Sequence, residues 1–225
     1  MRYSNVGRFR NFARLLLIFS LLGEVACSGA HGQVPAFAGD PQSPAAKGKQ
    51  TAVLAGGCFW GVDAVFKHVK GVSSVVSGYS GGSATTAEYE TVSSGSTGHA
   101  ESVKITYDPS QISYSELLRI FFSVATDPTQ LNRQGPDTGT QYRSVIFYAD
   151  ENQKQTALAY IDQLNKAKVF SAPIVTQVVP LKAFYPAEEY HQNYLQRHPE
   201  NPYIVYNDLP KLQQLQKQFP DVYRQ

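Results

Sequence analysis

The chain has 225 residues and a formal charge of +2 at neutral pH, enough length for one core of ordinary size and too little charge for a polyanion binder. Its Lys and Arg residues are scattered rather than gathered into a basic stripe, which excludes nucleic acid as a partner. Two cysteines, Cys27 and Cys58, exclude a disulfide framework, and the lack of any Cys-x-x-Cys pair excludes a thiolate zinc site.

Arg2, Arg8, Arg10 and Arg14 precede an apolar run over 15–22 that is too short to span a bilayer and has the make-up of a signal peptide core. Residues 1–26 are therefore expected to direct export to the periplasm or cell envelope. Val25, Ala26 and Cys27 offer a lipoprotein processing site and Ala36, Phe37 and Ala38 an Ala-x-Ala site. Because Glu24 stands where a lipoprotein signal usually has Leu, simple secretion is favoured over anchoring through Cys27. Residues 27–49, rich in Gly, Pro, Ala, Ser and Gln, read as a flexible tether, 50–210 as one folded domain, and 211–225 as a C-terminal tail.

Within the domain, 51–55 reads as a buried strand. It is followed by Gly56, Gly57 and Cys58 and then by a helix with Val62, Val65, Phe66 and Val69 on one face, ending at Gly71. A strand over 72–79 leads into a polar loop that carries Tyr89. In the next strand Glu101, Val103, Ile105 and Tyr107 share one face, so the Glu101 carboxyl should point inward and have a raised pKa. Ser113 with Glu116, and Asp150 with Gln153, predict helix N-termini. Between those helices lie a long loop over 127–139 and a strand over 142–149 covered on both faces. A strand over 174–179, a short helix from 188 to about 197 and a proline-rich wrapping tail complete the chain. This order predicts an α+β fold, a two-layer α/β sandwich on a mixed sheet.

Cys58 falls at a helix N-terminus, where free backbone N–H groups and the helix dipole favour an anion, so its thiolate is expected to be stabilised. Packing alone accounts for a buried cysteine but not for the glycines at 56 and 57. Phe59 and Trp60 read equally well as core aromatics or pocket walls. Glu101 reads as a satisfied core acid or as a proton donor. His99 shares the parity of Glu101, which leaves a cysteine–histidine pair open. Asp137 has the setting of a turn former, Tyr142 can donate to an oxyanion, and His191 and His198 read as structural or exposed.

Four blocks in order make a specific pattern: Gly57-Cys58-Phe59-Trp60-Gly61, Gly78-Tyr79-Ser80-Gly81-Gly82, Gly98-His99-Ala100-Glu101 and Gly139-Thr140-Gln141-Tyr142-Arg143. Over about 51–194 the chain resembles the peptide methionine sulfoxide reductase A family. The resemblance implies an α/β sandwich with a βαβ, ferredoxin-like core. It implies Cys58 as nucleophile on the sulfoxide sulfur, Glu101 as proton donor to its oxygen, and Tyr89 and Tyr142 as hydrogen-bonding partners. Phe59, Trp60, Asp137 and His191 would bind the substrate, with preference for its S epimer. It calls for no cofactor and no metal. The product of attack would be a Cys58 sulfenic acid. Many family members carry resolving cysteines in the C-terminal tail, and this one has none after Cys58, so an external thiol, from a thioredoxin, a glutaredoxin or a small molecule, is the expected reductant of a monomeric enzyme that repairs oxidised proteins. Cys27, if the mature protein keeps it, is the alternative resolving thiol, which a Cys58–Cys27 disulfide after one turnover would reveal. Two other readings stay open, a cysteine acyltransferase or hydrolase with His99 or His191 as base, and a secreted peptide-binding module built on Phe59, Trp60, Tyr79 and Tyr89.

Overall fold

A computed structural model describes residue 1 and residues 33–39 and 48–225. Apart from residue 1, the expected signal peptide lies outside the described residues, as do Cys27 and most of the expected tether.

The strand-forming runs assemble into a six-stranded sheet with the order β7-β6-β1-β3-β2-β8. Its centre is β1 (Gln50–Gly56) and β3 (Ala100–Tyr107), both apolar enough to be covered on two faces. β2 (Val72–Ser80) pairs antiparallel with β3, and β6 (Ser144–Tyr148) pairs antiparallel with β1. Because β1 and β2 both run against β3, they are parallel to each other, and the helix between them, α1 (Phe59–Lys67), makes a βαβ unit. The strand order β6-β1-β3-β2 with its two crossover helices is the ferredoxin-like arrangement. β7 (Gln177–Pro180) adds in parallel to β6, which makes the sheet mixed, and β8 (Phe184–Pro186) closes the other edge on β2.

The main core lies between the sheet and α1, α3 (Tyr114–Ile120) and α4 (Glu151–Lys166), where Leu54, Phe66, Ile105, Leu117, Phe122 and Tyr160 are fully buried. Both capping residues behave as their spacing predicts: Ser113 Oγ accepts from the N–H of Glu116 and Asp150 Oδ1 from that of Gln153. Val53, Ala55, Val145 and Phe147 bury the opposite face of the sheet. The long loop is ordered by the Asp127 carboxylate, which accepts from Thr129 and Gln130, and by a two-residue hairpin of β4 (Arg133–Gln134) and β5 (Asp137–Thr138).

Three expectations differ from the structure. The helix from 188 is broken into a 3-10 turn, Glu189–His191, and α5 (Tyr194–Arg197), with Asn193 at φ +54 between them. The Gln192 side chain is pulled across to the backbone of Ser77, accepting from its N–H and donating to its carbonyl at 3.0 Å each, so the chain leaves the helical path. In the tail, the segment from Ile204 onwards winds through a π turn into α6 (Leu209–Gln218) and packs on α1 instead of merely wrapping the surface.

The third difference concerns the expected flexible tether at 27–49, of which 33–39 is docked. Val34 is 1% exposed, its N–H donates to Ser123 Oγ, and its carbonyl accepts from Arg119. Tyr160 donates to the Pro35 carbonyl, and the Gln163 amide bonds both Ala36 and Ala38. Composition marks the segment as polar linker, but two apolar side chains three apart, Val34 and Phe37, are enough to seat it. Val34→Ala should cost about 2 kcal/mol through two lost methyls and the hole they leave. A lower denaturant midpoint is the expected readout.

Candidate active site

β1 ends in a turn that only glycine makes comfortably. Gly57 has φ +97, and a Cβ there would lie 2.6 Å from the Gln134 side chain. The next residue, Cys58, is the N-cap of α1, placed at the end of the sheet beside Glu101 from β3. Glu101 is 2% exposed and accepts a hydrogen bond from the Phe59 N–H at 3.0 Å, which ties the acid to the first turn of α1. Cys58, Phe59, Trp60, Tyr89, Glu101, Asp137, Tyr142 and Tyr203 line one pocket of about 180 Å³. That is well under the roughly 300–1,000 Å³ of sites that engulf a whole small ligand, and suits a single side chain.

Burial dominates the electrostatics. Desolvation pushes Glu101 up to about 8, only partly offset by the Phe59 N–H, so the acid carries its proton at neutral pH. The inward carboxyl expected from strand parity is found. The ionisation of Cys58 is not as expected. Desolvation, followed by the negative charges of Glu101 and Asp208, raises the thiol well above its ordinary value, and the Trp60 N–H and Lys211 do not compensate. At a helix N-terminus open to water the dipole would win; at 8% exposure it loses. The resting site therefore holds a thiol and a carboxylic acid, two protons in all.

The walls are fixed by contacts among themselves. Trp60 stacks on Tyr194 with ring centroids 3.7 Å apart, and its indole N–H donates to His191 Nδ1 at 3.1 Å. His191 therefore keeps its proton on Nε2 and is held neutral by burial. It stands behind Trp60, Phe59 and Tyr89 rather than on the pocket surface. His99 is further removed: Nδ1 accepts from the Gly82 N–H and Nε2 donates to the Ser83 carbonyl, so both ring nitrogens are occupied away from Cys58. Neither histidine is placed as a base for the thiol, and the acyl-transfer reading loses its second group.

Two residues missed in the sequence complete the site. Tyr203, from the tail, lines the pocket, meets Trp60 edge-on and donates to the Asp137 carboxylate. Asp208, 0% exposed, packs against Gly61 in the first turn of α1, where any Cβ would collide with its carboxylate, and it is paired with Lys211. Both lie more than 140 residues from Cys58, and a proline-rich segment gives no periodic signal to place them.

A buried thiol, a protonated acid and a ring of phenols with an apolar wall can bind and protonate a small polar group carried on an apolar stem. The comparisons with known proteins agree. The family model described as peptide methionine sulfoxide reductase matches residues 50–223. The chain belongs to the peptide methionine sulfoxide reductase family. A peptide methionine sulfoxide reductase of Mesorhizobium japonicum is 63% identical over 80% of this chain and 92% of its own, and one of Synechocystis is 56% identical over 81% and 85%. The fold is similar to that of the reduced form of Mxr1 from Saccharomyces cerevisiae, with a TM-score of 0.62 and 34% identity over 68% of this chain and 87% of that one. The enzyme of Corynebacterium diphtheriae gives 0.58, 36%, 68% and 77%. The chain is thus an oxidoreductase that reduces methionine sulfoxide, on an α+β sandwich.

Proposed function

We propose that the enzyme is exported and repairs oxidised proteins by reducing the S epimer of methionine sulfoxide through a single cysteine. The observation that carries the mechanism is the bond from the Phe59 N–H to Glu101, which fixes a protonated acid beside Cys58. The sulfoxide enters with its methyl group against Phe59 and Trp60 and its oxygen toward Glu101, Tyr89 and Tyr142. Glu101 gives its proton to that oxygen, which makes the sulfur electrophilic, and Cys58 Sγ attacks. The carboxylate left on Glu101 takes the thiol proton, so the acid is reset. The oxygen passes to Cys58 as a sulfenic acid while the thioether departs, so that Cys58 is oxidised by two electrons and the substrate sulfur is reduced by two.

Cys58 is the free cysteine among the described residues, and no cysteine follows it in the sequence. The position after the pocket-lining Tyr203 is held by Ile204, fully buried against Ala64 and Leu195. Regeneration is therefore assigned to an external thiol of the thioredoxin type or a small molecule. One thiol forms a mixed disulfide and releases water, and a second returns Cys58 to the thiol.

Enzyme mixed with excess substrate and no reductant should make one equivalent of methionine and then stop, with a sulfenic acid on Cys58 detectable by a dimedone-type trap. Mass spectrometry should show only that site modified, and only the S epimer consumed. Continued turnover without thiol, or consumption of the R epimer at equal rate, contradicts this reading.

A further inference from the structure

We propose that Glu188 is a positioning residue, whose carboxylate braces the turn that carries Tyr89 against a buried phenol beneath the active site. Its two oxygens are used separately: Oε2 accepts from the Tyr79 hydroxyl and Oε1 from the backbone N–H of Tyr89, each at 2.8 Å. The two anchored groups differ in kind. Tyr79, on β2, is 0% exposed and its ring lies 5.9 Å from that of Phe59, a pocket wall, so it belongs to the rigid base of the site. Tyr89 opens the four-residue helix α2 (Tyr89–Val92) within the irregular stretch between β2 and β3, and its N–H has no intrahelical partner.

Other side chains hold this stretch at its two ends, where the His99 ring bonds Gly82 and Ser83 and where Gln141 donates to the Ser93 carbonyl and Thr140 to that of Gly95. At Tyr89 itself the brace is Glu188. Burial works against its charge, but the Tyr89 N–H and the Tyr79 hydroxyl keep its carboxylate ionised below its ordinary pKa. The strut continues through the same turn, because His191, three residues on, holds the Trp60 indole. The indole wall is thus held by the same segment but through His191 and not through the Glu188 carboxylate, which braces the phenol wall alone.

The proposal rests on the reading that the Tyr89 hydroxyl contacts the sulfoxide oxygen during the reaction, and the experiment separates the two. Tyr89→Phe alone is expected to lower kcat about ten-fold. Glu188→Ala should lower kcat by a similar factor, with little change in KM for free methionine sulfoxide, because a misplaced hydroxyl is as useless as a missing one. In the Tyr89→Phe background Glu188→Ala should cost nothing further, a non-additivity that a general loss of stability would not produce. Glu188→Gln should recover most of the rate, since its amide oxygen still accepts from Tyr89 and its NH₂ donates to the Tyr79 oxygen. Should the Ala variant fail to fold, Glu188→Asp, one methylene too short to span both partners, takes its place in the same cycle. Equal losses in the two backgrounds overturn the brace, as does a Gln variant as slow as Ala. A wild-type kcat for Tyr89→Phe overturns the reading of Tyr89 and the brace with it.

Discussion

Exchange of Cys58 for Ser should leave no measurable reduction of methionine sulfoxide, even with excess thiol present. Oxygen from the substrate must end on the nucleophile, and sulfur accepts it as a sulfenic acid; a hydroxyl in the same place would have to become a peroxide. The loss should therefore exceed the roughly 10²–10⁴-fold typical of removing an acid or base and be complete within detection. Cys58 lines the pocket at 8% exposure, and Ser differs there by one atom, so the fold should persist. Unchanged melting and retained binding of substrate, with no product by chromatography, is the expected result. Product formation by the Ser variant would mean that the oxygen goes elsewhere.

The second large effect falls on Glu101. Glu101→Gln keeps the shape of the protonated acid but has no proton of comparable acidity to give, and kcat should fall about 10²–10³-fold with KM nearly unchanged. The pH dependence has a definite sign. The acid is pushed up to about 8 by burial, so the wild-type rate should decline as pH rises through 8, and the Gln variant should lack that limb. Stability follows the same group. Glu101 binds its proton more tightly folded than unfolded, so its favourable contribution is present below the ordinary carboxyl pKa and is lost as pH climbs through about 8. Denaturation midpoints over that window should fall less in the Gln variant than in the wild type. Parallel curves would assign the proton to another group.

Local signals in the sequence were enough to place the centre of the site. The strand, glycine turn and helix around Cys58 and the parity of Glu101 depend on residues within a few positions of each other, and both capping pairs are four-residue signals. What escaped depends on distant chain. Whether Cys58 is a thiolate turns on how much of it the fold covers, which no spacing records, and burial reversed the expectation from the helix terminus. Tyr203 and Asp208 reach the site from the proline-flanked stretch just before the amphipathic segment at 211–219, where no apolar periodicity marks a helix. His191 is near the pocket but one layer back, a distinction that a matched motif cannot draw.

The seating of 33–39 bears on the order in which the molecule assembles. Its partners, Arg119, Ser123, Tyr160, Gln163 and Gln218, lie 85 to 185 residues further along the chain. Closing loops of that length before the helices exist gains nothing, so these contacts are expected to form after the rate-limiting step. Interactions absent from the transition state leave the refolding rate nearly untouched and slow the escape from the native state. On that order the segment is a latch, fastened last, whose loss is expected to shorten the life of the folded enzyme while leaving its refolding rate unchanged.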